Sequence, residues 1–179
     1  MPRLPYLAAD LSEPADVVNA IRLRRGGALL NLDRMLLHSP PLARGWNAFL
    51  GEVRNGLTLS PKLRELAMCA VAVLNGADYE FHHHAPEFIK AGGSAAQITA
   101  LADPQRAVRN DTLFDTAERA TLRLTIDMTN EVQVGEGSFQ ALRMALPDQR
   151  QVVELVGVIA TYNMVSRFLV ALGVEPEAD

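Results

Sequence analysis

The sequence predicts an all-α protein, and three observations carry that expectation. Signals for strands are nearly absent, since only 6% of residues are aromatic and no segment alternates apolar and polar residues for long. Apolar residues recur instead at intervals of three and four, as at Val17 and Ile21, which is the period of a helix face. Helix start and stop signals then punctuate the chain, with serines ahead of apolar runs and glycines behind them.

The elements follow in order. A first helix is expected around 17–23. A second is expected over 41–54, where Leu42, Trp46, Phe49 and Leu50 form one stripe. Ser60 as N-cap and Pro61 at the first helical position open a third helix, which ends at Asn75-Gly76, a suitable left-handed terminator. After Glu65 this helix carries no charge, so it should lie at the centre of the fold. A fourth helix, DYEFHHHAPEFIKA, contains Pro86 and stops at Gly92-Gly93. Pro86 cannot donate to the carbonyl of His82, which predicts a kink or an open carbonyl there. Ser94 and Gln97 form a capping box for SAAQITALA. Residues 103–115 read as a connection with one short turn, and ERATLRLTIDMTN and SFQALRMAL as two more helices. Pro147-Asp148 opens a long final helix over 148–172, closed by Gly173. The expectation is a single domain over 1–179 with about seven or eight helices.

Composition narrows the function classes. The chain has 179 residues, of which 49% are hydrophobic and 21% charged, and its mean hydropathy is +0.05. A chain of this size buries roughly 70% of its unfolded surface, so disorder is excluded. The net charge of −4 and a pI of 5.6 argue against nucleic acid, which demands a basic face. Cys69 is the single cysteine, so no two-cysteine redox centre exists within one chain. The N-terminus lacks the apolar segment of a secretory signal, and no run approaches about 18 uninterrupted apolar residues. A cytoplasmic protein with no membrane partner is expected.

Glu65, Glu80 and His84 stand out chemically. Glu80 and His84 are four apart in a helical segment and share one face. A carboxylate beside an imidazole raises its pKa and fixes its tautomer, which suits proton transfer near neutral pH. Glu65 lies early in the apolar helix, where burial would let a carboxyl hold its proton as a general acid. The bland alternatives are a helix-terminus acid beside Arg64 and a surface pair worth a few tenths of a kcal/mol. Three adjacent imidazoles at 82–84 point about 100° apart along a helix and cannot share one metal ion; a single ion held by Glu80 and His84, with Glu65 as third ligand, is the alternative metal reading, though two carboxylates and one imidazole form an uncommon site. Cys69, among Ala67, Ala70 and Val71, reads as an inert buried thiol. Trp46, Phe81, His83, Tyr162 and Asn163 are substrate-pocket candidates. An asparagine inside ATYNMVSRFLV needs a partner.

The stretch LSPKLRELAMCAVAVLNGADYEFHHHAPEFIKAGGSAAQITAL resembles the core of the carboxymuconolactone decarboxylase family, which includes the alkylhydroperoxidase D-like proteins; YNMVSRFLVALGVEP and NLDRMLLHSPPLARGW resemble its longer branch. The resemblance implies an alkylhydroperoxidase D-like helical bundle, with the family core at about 40–130. In the peroxidase branch a glutamate precedes a CxxC motif by twelve residues and a histidine follows it by four. Those places fall on Glu65 and His84 here, and the cysteine positions fall on Ala77 and Glu80. Disulfide-cycling peroxide reduction thus lacks its sulfurs. The decarboxylase branch has an acid and a histidine where Glu80 and His84 stand, and works without a cofactor. The resemblance therefore implies acid–base catalysis by Glu65, Glu80 and His84 on a small carboxylated or lactone-like metabolite, in a homo-oligomer, trimer or hexamer. The competing expectations are an antioxidant protein that has lost its CxxC disulfide, and a non-catalytic oligomeric binding protein.

Overall fold

The computed structural model describes residues 1–177. All regular structure among them is helical, as ten helices. The expected count of seven or eight falls short for two reasons. Asn31–Leu36 was not expected to be helical, and the single turn expected after Asp103 is the four-residue helix Pro104–Ala107. Asn31–Leu36 lacks an apolar period because it turns Asn31 and Asp33 inward with its leucines.

The chain divides into two compact units. The first comprises residues 1–57 with the C-terminal segment from Ala171 and holds α1 (Ala15–Arg25), α2 (Asn31–Leu36) and α3 (Pro40–Asn55). Asp33 is buried there, and Arg25 Nε lies 3.0 Å from its carboxylate, which also accepts from the Leu30 N–H at 3.0 Å. The two chain ends meet in this unit. The Arg3 N–H donates to the Leu172 carbonyl at 2.9 Å, and a Cβ on Gly173 would stand 2.7 Å from the Met1 carbonyl oxygen. Gly173 also has φ +63°, so its position calls for glycine on both counts.

The second unit, Thr58–Val170, contains α4 (Pro61–Asn75), α5 (Asp78–Lys90), α6 (Ala95–Ala100), α7 (Pro104–Ala107), α8 (Thr116–Asn130), α9 (Glu136–Ala145) and most of α10 (Gln149–Leu172). α4 is the central helix, as its uncharged run after Glu65 predicts: Leu66 to Ala72 are all buried, and it packs against both α5 and α8. Its N-terminus is fixed by Glu154 on α10, which accepts from the Thr58 and Leu59 N–H groups at 2.8 and 2.7 Å. Ser60 occupies the N-cap position without a side-chain bond. Gly76 ends α4 in the left-handed conformation, and the chain reverses into α5. α5 runs unbroken through Pro86, and Gly92 beyond it has φ +100°. Ser94 and Gln97 form the expected capping box, and Asp115 and Glu118 form a second one at α8.

α10 is long and apolar enough to cross a membrane by length and mean hydropathy, yet half of that window is buried inside the protein. Its buried polar residues bond within the second unit. Asn163 bonds α8 and Asn75 at the end of α4, while Ser166 bonds α5. These are the properties of a core helix.

Candidate active site

The site is built where α4, α5 and α10 meet. Glu65 sits in the second turn of α4 and His84 in the middle of α5, on either side of the Gly76 reversal. His84 Nδ1 lies 2.6 Å from Glu65 Oε2, and both side chains are buried. A bond this short between an imidazole and a carboxylate in a buried setting is charge-assisted when the ring is protonated. Arg64 Nε approaches the other oxygen, Oε1, at 3.4 Å. The carboxylate at Nδ1 is therefore Glu65, reached across the turn between helices. The sequence had given that orienting role to Glu80, one turn away on the same helix.

Glu80 is the most deeply buried of the three, at 2% exposure. Its Oε2 accepts from Ser166 Oγ at 2.9 Å. On α10, one turn before Ser166, the Tyr162 ring stands edge-on to His84 with centroids 4.9 Å apart and planes at 85°. The pairs 80/84 and 162/166 thus face each other in register, because residues four apart share a helix face. Ser166 was not picked out from the sequence. Its signal is this matched spacing, visible only once the two helices are known to be neighbours.

Burial pushes the Glu65 carboxyl up, but the hydrogen bond and charge of His84, with Arg64, outweigh it and hold the group below its ordinary value of 4.5. Glu65 is accordingly a carboxylate. The expectation that it keeps its proton as a general acid is corrected: the opposing charges prevail over desolvation. Cys69, one turn after Glu65, is fully buried. Burial pushes its thiol far above the usual range, and the charges of Glu65 and Glu80 push the same way. Both carboxylates thus act on one small region of the interior, and that region disfavours a thiolate.

The remaining candidates separate. Asn163 has its amide filled: Nδ2 donates to Thr129 Oγ1 at 3.0 Å and to the Ile159 carbonyl at 3.1 Å, while Oδ1 accepts from Asn75 Nδ2 at 3.1 Å. Its work is to tie α10 to α8 and the end of α4. Phe81 packs on the core cluster of Leu66, Cys69, Phe88 and Leu122. His83 stacks at a tilt on Tyr79, 4.5 Å between centroids. Trp46 is buried on α3 in the first unit. Among the described residues, no three His, Cys, Asp or Glu side chains group as metal ligands would.

Glu65, Glu80 and His84 all fall within residues 40–127, the stretch that matches the carboxymuconolactone decarboxylase family. The chain belongs to the carboxymuconolactone decarboxylase family through this segment. No curated protein matches the sequence. Solved structures extend the likeness to the whole fold. An uncharacterized peroxidase-related protein from Silicibacter sp. TM1040 superposes with a TM-score of 0.82 at 19% identity, covering 99% of this chain and 92% of that one. A second such protein, from Ralstonia eutropha JMP134 and described as an alkylhydroperoxidase AhpD core, gives a TM-score of 0.82 at 19% identity over 98% and 92%. The debrominase Bmp8 gives 0.77 at 16% identity over 97% and 91%. Family fold and helical class are thereby shared; at these identities activity is not carried with them.

Proposed function

We propose that this member of the carboxymuconolactone decarboxylase family is a cofactor-free acid–base enzyme acting on a small carboxylated or lactone-like metabolite. The observation that carries the reading is the buried His84–Glu65 pair, 2.6 Å between Nδ1 and Oε2. A carboxylate at Nδ1 fixes the ring's tautomer and stabilises its protonated form, leaving Nε2 as the nitrogen that exchanges a proton with substrate. Glu80, held by Ser166, supplies a second buried carboxyl group, and Tyr162 walls the ring.

For a carboxy-lyase the balance is simple. The carbon–carbon bond to the leaving carboxylate breaks and carbon dioxide departs. The electron pair moves into the conjugated system as an enolate, and His84 delivers its proton to carbon. A dry setting favours loss of charge from a carboxylate and sharpens the proton transfer. Thiol-dependent peroxide reduction fits poorly, since the only cysteine is buried with its thiol pushed far up.

The reading also includes a homo-oligomer. Its support is apolar exposure along α10, where Val153, Met164 and Val170 are 70%, 41% and 47% exposed. Sedimentation should give a species several times the 19.5 kDa chain mass; a monomer at micromolar concentration contradicts that part.

The catalytic reading is tested with a panel of carboxylated lactones, following carbon dioxide release. His84→Gln should lower turnover by roughly 10²–10⁴ on the substrate that reacts, the usual worth of a positioned acid or base, whereas Cys69→Ala should retain it. Activity that survives His84→Gln, or peroxide reduction that vanishes in Cys69→Ala, overturns the proposal.

A further inference from the structure

A recess lies between α8, α9 and the end of α7. It has a volume of about 170 Å³ and is lined by Val108, Thr116, Arg119, Ala120, Arg123 and Ala141. None of these residues belongs to the His84 site. Thr116, Arg119 and Arg123 are three and four apart on α8, so their side chains rise from one face of that helix.

The arginines are unlike most others in the chain. Arg22, Arg34, Arg44 and Arg150 all donate to carbonyl or carboxylate oxygens. Arg119 instead has a buried Nε with no hydrogen-bond partner among the described residues. No ion pair engages Arg119 or Arg123 among the described residues. Asp127, one turn beyond Arg123, lines the adjoining wider groove together with Arg109 but does not come within ion-pair distance of it. Two guanidinium groups brought to one recess without a carboxylate between them repel each other, and an anion placed there relieves the repulsion.

We propose that this recess binds a small oxyanion, a carboxylate or phosphate group, gripped by Arg119 and Arg123 with the Thr116 hydroxyl as a further donor. The guanidinium fork matches the paired oxygens of either group. Val108, Ala120 and Ala141 make the walls apolar and hold only a short body, so the ligand is a small metabolite rather than a polymer.

The test uses the full chain and two probes, inorganic phosphate and propionate, titrated separately and followed by the side-chain Nε–H resonances of arginine. Saturable binding of at least one probe is expected, with the Arg119 signal moving most, and the tighter probe identifies the group. Arg119→Lys keeps the charge but removes the planar guanidinium fork, and should weaken binding by about tenfold. Arg119→Gln with Arg123→Gln should abolish it. Arg143→Gln makes the same change of charge on α9 outside the recess and should bind as the parent does. Binding of neither probe, or equal weakening by Arg143→Gln, overturns the proposal. If Arg119→Gln perturbs folding, Arg119→Lys alone decides: unchanged affinity in it means that the Arg119 guanidinium does not grip the anion, which overturns the proposal.

Discussion

Two carboxylates of the second unit are buried to nearly the same degree and do different work. Glu118 on α8 is 2% exposed and Glu65 on α4 is 6% exposed. Glu118 is saturated by fixed donors. Its Oε1 takes Lys62 Nζ at 2.6 Å and Gln97 Nε2 at 3.1 Å, and its Oε2 takes the Asp115 N–H at 2.8 Å. These partners come from α4, α6 and the cap of α8, so one side chain stitches three elements. Glu65 has a single short bond, to an imidazole. Lysine, amide and backbone donors keep their protons at neutral pH, and only the imidazole changes state there. Burial of a charge therefore does not mark function; the protonation range of its partner does.

The largest effect that separates the two regions is on stability. Glu118→Ala strips Lys62, Gln97 and the α8 cap of their common acceptor and should cost about 3 kcal/mol, because breaking a buried pair leaves the partner uncompensated. Urea unfolding measures it. A loss well under 1 kcal/mol would mean that the cluster is ornamental and would blur the contrast with Glu65.

A smaller effect concerns acid. The Glu65 carboxyl is held below its ordinary value of 4.5 in the folded protein. A depressed native value means that the unfolded chain binds the proton more readily. Its contribution to stability is thus complete above the ordinary value and is lost as pH falls through the lowered one. Urea midpoints recorded down that interval should decline less steeply in Glu65→Gln than in the parent. Identical slopes would show that Glu65 is not stabilised as a carboxylate.

The smallest effect is at Cys69. Cys69→Ala removes one buried sulfur and should cost about 1 kcal/mol, and in the native parent the thiol should resist alkylating reagents. Rapid alkylation under native conditions would place a reactive thiolate beside the two carboxylates and contradict their shared effect on it.

Much of this arrangement is legible in the sequence where local rules suffice. The uncharged run after Glu65 predicts the central helix, Gly76 predicts its end, and Ser94 with Gln97 predicts a cap that forms. What the sequence hides is pairing between helices. Spacing of four joins Glu80 to His84 on one face, whereas the bond at Nδ1 comes from Glu65 across the reversal. Glu118 and Ser166 carry no local signal of their roles, which come from packing against α4, α6 and α5. The helix at Asn31–Leu36 escapes for the same reason. Its buried Asn31 and Asp33 are satisfied by arginines and by the C-terminal segment, where Asn31 Nδ2 donates to the Glu175 carbonyl at 3.1 Å.

The account rests on His84 taking its charge partner from α4, and one titration tests that directly. With ring nitrogens labelled, the protonation of His84 is followed by NMR in the parent and in Glu65→Gln. Removing the carboxylate while keeping its shape deprives the protonated ring of its anionic neighbour, so the His84 midpoint should move to lower pH in the variant. In the parent Nδ1 should keep its proton across the transition and Nε2 should be the nitrogen that titrates. A midpoint unchanged by Glu65→Gln would contradict the pair, and with it the proton-transfer site built upon it.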